Sequence, residues 1–146
     1  MKVYYNSKLA KILTFMRGFG TMMFFGVIIT EYNNLNKQSL IHEKTHISQY
    51  EDCVELGCTF SILLGTLLVF CDIFSWWLLL LCLIPVFLYY VLYGAEYVYW
   101  RMKGLNKIDA YREISFEKQA RYIADTWDLP SEYQNHYESF GWWDML

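Results

Sequence analysis

From Leu56 to Ala95 the chain carries one formal charge, Asp72. Two apolar segments, Leu56 to Cys71 and Ile73 to Ala95, flank the polar break that Asp72 and Ser75 provide. A hydrocarbon core about 30 Å thick takes about 20 residues of helix. The second segment has that length, and the first reaches it with its flanking residues. Pro85 predicts a kink in the second segment without preventing insertion. The remaining chain is too short to cover both helices all round as a buried soluble pair. The pattern therefore predicts a membrane-associated, mainly α fold built on an apolar helical hairpin over about 56–98. Composition agrees: 18% of the residues are charged, against about a quarter in soluble domains. A length of 146 residues predicts one domain, 1–146.

Lys8, Lys11 and Arg17 precede the hairpin, Arg101, Lys103 and Lys107 follow it, and its turn has no basic residue. The positive-inside rule then puts both flanks on the cytoplasmic side. Trp76, Trp77, Tyr97, Tyr99 and Trp100 stand where interfacial aromatics belong, and Trp142-Trp143 in the tail is expected to touch the interface. A net charge of -3 argues against nucleic acid as a partner, since phosphate neutralisation needs a basic face. Cys53, Cys58, Cys71 and Cys82 match neither a CxxC pair nor a disulfide scaffold and are expected as buried, structural thiols. The N-terminal apolar run lacks an obvious small-residue cleavage site, so delivery to the membrane is expected to use an internal segment.

Glycines and β-branched residues between Ile12 and Thr30 predict a short β-hairpin, with strands near 12–17 and 22–30 joined by Gly18-Phe19-Gly20. Asn36 or Ser39 can cap a helix over about 38–56. A last long helix is expected from Asp109 to Trp127, ended by Leu129-Pro130.

The helix over 38–56 carries His42-Glu43-Lys44-Thr45-His46. Positions i and i+4 share a helix face, so His42 and His46 can bind one zinc ion. Glu43, slightly aside, can act as the catalytic base toward a zinc-activated water. Lys44 stands where this motif usually has an uncharged residue and is expected to face solvent. Catalytic zinc takes a third protein ligand. Glu117 is the foremost candidate, on a helix where Ala120 permits close packing. Glu113 and Asp109, one and two turns earlier, and His136 in the tail remain alternatives. Gln49 and Asp52 are placed to hydrogen-bond a ligand imidazole. Glu96 is expected to pair with Arg101, and Tyr111 and His136 are weaker candidates for oxyanion contacts.

The order of these features, His42-Glu43-Lys44-Thr45-His46-Ile47-Ser48-Gln49, two apolar segments, then Asp109-Ala110-Tyr111-Arg112-Glu113-Ile114-Ser115-Phe116-Glu117-Lys118-Gln119-Ala120, resembles a group of small, uncharacterised bacterial membrane proteins. It is also similar to the integral-membrane gluzincin peptidases over roughly 15–125. In those peptidases a later glutamate, often in an ExxA run, completes the zinc site, which implies Glu117 here and zincin-like packing of the two site helices. The strand before the motif helix would be the edge along which substrate pairs. The aspartate usual after ExxA is replaced by Arg121, and Asp125 lies one turn further on.

The expectation is thus a zinc-dependent membrane metallopeptidase, with His42, His46 and Glu117 on the metal and Glu43 as base. Its substrates would be peptides or membrane proteins at the surface of a bacterial inner membrane, with the site on the cytoplasmic side. One alternative keeps the zinc and drops hydrolysis, as a sensor or partner-binding module. Another is a metal-free membrane scaffold or small partner subunit.

Overall fold

The computed structural model describes residues 2–14, 20–73 and 75–146, and the Thr14 and Trp77 side chains lie outside the description. The protein is mainly helical, with a small three-stranded sheet and two long apolar helices. Strand β1 (Val3–Tyr4) pairs parallel with β3 (Val27–Thr30), which pairs antiparallel with β2 (Thr21–Phe24). The strand order is β1-β3-β2, so β2 is an edge strand.

A β-hairpin is present, but its bounds differ from expectation. Its strands are β2 and β3, and the turn is Phe25-Gly26, with φ of 45 and 77. Two positive φ values fit a turn whose twist matches the flanking strands. The Phe25 amide is held by Tyr90 Oη at 2.7 Å. Where a first strand was expected from Ile12, Lys8–Thr14 forms helix α1. Its leucine, alanine and lysines favour helix, and Ser7 Oγ accepts the Ala10 amide as a cap. The rest of that expected strand, 15–17, and the Gly18-Phe19 link lie outside the described residues.

Helix α2 runs unbroken from Lys37 to Phe70, joining the motif helix to the first apolar segment. Asn36 caps it by accepting the Ser39 amide at 2.6 Å. No residue in between forces a break, because Gly57 is tolerated where the partner helix comes close. The chain turns at Asp72, with φ 57, passes through a 3-10 segment (Trp76–Cys82) and enters α3 (Leu83–Met102). Pro85 sits in the first turn of α3, where a missing amide costs little.

Two short helices replace the expected long one: α4 (Lys107–Arg112) and α5 (Ser115–Ala124). Ile114, extended at φ -60 and ψ 129, separates them. No side chain of the Ile114 segment caps α5. Glu96 of α3 does so instead, accepting the Ser115 amide and the Ser115 hydroxyl, each at 2.7 Å. The expected Glu96–Arg101 pair does not form, and Arg101 donates to the Leu105 carbonyl.

The core gathers Met23, Ile28, Ile47, Cys53, Tyr89, Ile114, Phe116 and Trp142 between sheet, α2, α3 and α5. Trp142 does not lie at an interface. It is buried and stacks on Phe116 at 4.4 Å, so the tail folds back onto the helix carrying Glu117. Among the cysteines only Cys53 is buried, and Cys58, Cys71 and Cys82 are exposed on the hairpin. The apolar hairpin is bare along its length, with Ile62, Leu63, Phe70, Leu79 and Val91 each more than half exposed.

Candidate metal centre

The motif lies on the N-terminal half of α2, before the apolar stretch that begins at Leu56. His42 and His46 share one face of the helix, and α5 packs against that face with Glu117 in its first turn. His42 Nε2 and His46 Nε2 lie 3.1 Å apart. Glu117 Oε2 is 3.3 Å from His42 Nε2, and Glu117 Oε1 is 3.2 Å from His46 Nε2. Ligand atoms about 2.0 Å from a tetrahedral zinc ion stand about 3.3 Å from one another. The two imidazole nitrogens thus have the separation of two tetrahedral zinc ligands, each is faced by a different oxygen of Glu117, and one ligand atom from each residue lies within 4.8 Å of the others.

Hydrogen bonding fixes which way His46 faces. Gln49 is fully buried, and its Nε2 donates to the Phe116 carbonyl at 2.9 Å and to Gln119 Oε1 at 2.8 Å. With both amide protons engaged, Oε1 is the atom left for His46 Nδ1, 2.8 Å away. An acceptor there requires the proton on Nδ1. His46 Nε2 then turns a lone pair toward Glu117 and His42, and such facing acceptors need a proton or a cation between them. Burial disfavours charge on His46, but Glu117 and then Glu43 outweigh it and raise the ring to about 9. Burial would lift Glu117 too, yet His46 and His42 hold it well below the usual carboxylate range.

Glu43 lies beside these groups and is 8% exposed. The Met23 backbone of β2 hydrogen-bonds to its carboxylate, while Oε2 is buried without a hydrogen-bond partner. Burial pushes its carboxyl up, and the two imidazoles offset this only in part. Glu117 Oε2 likewise makes no hydrogen bond. Two orphaned carboxylate oxygens flanking two imidazoles suit a divalent cation, and two nitrogens with one oxygen are a donor set that zinc accepts.

A cavity of about 220 Å³ adjoins the group. Glu43, His46 and Glu117 form one wall, Thr21, Met22 and Met23 of β2 another, and tyrosines from α3 and α4 the rest. Tyr93 Oη donates to Glu117 Oε1 at 2.8 Å, and Tyr89 Oη lies 3.3 Å from His46 Nδ1. Tyr111 also bonds Glu117, and burial followed by that carboxylate raises its phenol far above the usual range.

The remaining candidates stand elsewhere. The break at Ile114 turns α4 away from the line of α5. Glu113 pairs with Lys118 at 2.8 Å, and Asp109 accepts from Asn106 at 2.5 Å. His136 is exposed in the tail. Asp52 touches no imidazole and instead holds Tyr137 Oη and the Phe140 amide. Asp125 accepts from Gln38 at 3.0 Å and gives the ligands no support. Arg121 reaches back to 3.8 Å from Glu117 Oε2 and also bonds the Arg112 carbonyl. Lys44 is exposed, as expected. Sequence reasoning missed Tyr89 and Tyr93; their signal is two phenols one turn apart in a helix otherwise read as membrane-facing.

No protein-family model, curated protein or solved structure matches the chain.

Proposed function

We propose that the protein is a membrane-seated, zinc-dependent peptidase in which His42, His46 and Glu117 hold the metal and Glu43 is the general base. One observation carries this reading: two imidazole nitrogens 3.1 Å apart, each faced by an oxygen of Glu117, beside a buried Glu43 carboxylate with an unused oxygen. A zinc ion held there supplies Lewis acidity toward a peptide carbonyl and acidifies water. Glu43, disfavoured as an anion by burial, takes the proton of the attacking water and returns it to the amine nitrogen as the C–N bond breaks. Strand β2 offers its backbone edge to an extended substrate next to the cavity. Gln49 keeps His46 in the tautomer that presents Nε2.

Two helices, Lys37–Phe70 and Leu78–Met102, are long and apolar enough to cross a membrane, and little of either apolar stretch is buried. Patches of that size on soluble proteins are rare, which supports seating in a bilayer. The basic flanks favour the cytoplasmic side for the site, and the resemblance to bacterial membrane proteins and membrane peptidases implies a bacterial inner membrane, with peptides or membrane proteins at that surface as substrates.

A second reading keeps the zinc without turnover, as a sensor, and a third drops the metal, which Arg121 favours. A guanidinium near Glu117 competes with a metal for the carboxylate's charge.

Elemental analysis of purified wild type beside His46→Ala tests the centre first. About one zinc per chain, lost in the variant, supports it; metal-free wild type refutes it. Wild type and Glu43→Gln are then compared on a membrane-anchored peptide. Cleavage abolished by the variant with zinc retained supports the peptidase, and no cleavage by zinc-loaded wild type supports the sensor.

A further inference from the structure

Helix α3 presents two opposite faces at the same spacing. Tyr89, Tyr93 and Glu96, at i, i+4 and i+7, point into the protein, where each supports part of the metal centre. Tyr89 meets His46 Nδ1, Tyr93 donates to Glu117 Oε1, and Glu96 caps the helix that carries Glu117. Val91, Ala95 and Val98, two positions later at each step, are exposed. One apolar helix thus contributes an outer contact to two of the three candidate ligands, beside those from Gln49 and Tyr111.

We propose that Tyr93 is a positioning residue for the metal centre: its hydroxyl sets the carboxylate of Glu117 in ligand geometry and ties that geometry to the seating of α3. The inference rests on the metal-binding reading but not on peptidase activity. Glu117 Oε1 faces His46 Nε2 at 3.2 Å and accepts the Tyr93 hydroxyl's hydrogen bond at 2.8 Å. The hydroxyl therefore fixes the rotation of the carboxylate and leaves Oε2 toward His42. Without it Tyr111 remains as the phenol on this carboxylate, and the pull of Arg121 on Oε2 is less opposed. Partners of this kind typically change metal affinity by about 10- to 100-fold when removed.

The test uses the full-length protein in lipid nanodiscs and compares wild type, Tyr93→Phe and Tyr99→Phe. Tyr99 is on the same helix and is exposed, packing on Trp100, so its variant removes the same atom away from the site. Zinc affinity is measured by chelator competition, and ligand geometry by the visible spectrum of the cobalt-loaded protein. Tyr93→Phe is expected to weaken zinc about 10- to 100-fold and to alter the cobalt bands, with thermal unfolding and helicity unchanged. Tyr99→Phe should match wild type. Equal affinity and spectra in all three proteins would overturn the assignment.

A metal-free readout keeps the proposal separable from the metal itself. In apo protein the Glu117 carboxyl carbon resonance should move in Tyr93→Phe and stay put in Tyr99→Phe. If wild type binds no metal, the metal-centre reading fails on its own account. An unmoved Glu117 resonance overturns the positioning role whether or not metal binds.

Discussion

Gln49 uses each hydrogen-bonding atom of its amide on a different element of the site. One acceptor fixes the tautomer of His46, and two donors fasten α2 to α5 through Phe116 and Gln119. Gln119 in turn donates to the Glu138 carbonyl at 3.0 Å, carrying the connection into the tail. Replacing Gln49 with Leu keeps much of the volume and removes all three bonds. Gln119 Oε1 would be left buried without its donor, at about 1–3 kcal/mol, and the Phe116 carbonyl would keep only its bond within α5. Gln49→Leu is therefore expected to lower the unfolding midpoint and also to weaken zinc about 10- to 100-fold. Thermal unfolding with and without zinc checks both parts. A variant that loses stability but keeps wild-type zinc affinity would show that Gln49 serves packing alone.

At the scale of elements, α2 and α3 approach each other through one glycine. A Cβ built at Gly57 would lie 2.6 Å from Pro85 Cα and 3.0 Å from Pro85 N. Those atoms are backbone and cannot step aside. Alanine in place of glycine gains about 1 kcal/mol of helix propensity, but overpacking at a backbone contact costs about 1–3 kcal/mol. Gly57→Ala is expected to lower the unfolding midpoint in detergent, and a raised midpoint would mean that the helices separate freely. Pattern made the long apolar helices, the Asn36 cap and the motif face legible, because each depends on neighbours in the chain. Glu117 was legible as a candidate because Ala120 lies one turn on and the ExxA run resembles that of the gluzincin peptidases. The break at Ile114 was not, since the cap of α5 comes from Glu96 on another helix. Helix α1 was hidden because apolar, β-branched runs of that length suit strand and helix alike. Tyr89 and Tyr93 were hidden because apolar surroundings obscured the two hydroxyls that turn inward.

For the whole molecule, the question is what covers the bare hairpin. Leu56 to Phe70 supplies about 22 Å of helix, and Asp72 at the tip puts a charge in a turn with φ 57. In a bilayer that charge favours the far headgroup layer, because burying an unpaired carboxylate in hydrocarbon is costly. The exposed cysteines then divide by depth. Cys58 and Cys82 lie on apolar helix faces, while Cys71 adjoins the tip. A water-soluble maleimide needs the thiolate, which hydrocarbon suppresses. In sealed proteoliposomes Cys71 should label from one side only, and Cys58 and Cys82 from neither. A cysteine placed at exposed His136 should label from the side opposite to Cys71. Solubilisation in denaturant should make all of them reactive. Rapid labelling of Cys58 and Cys82 in intact vesicles would put the hairpin in water and require a protein partner to cover it. Labelling of Cys71 and His136→Cys from the same side would mean that the hairpin enters the bilayer without crossing it. One-sided labelling at opposite faces would place the candidate metal centre at the base of a spanning hairpin, where α3 links it to the lipid.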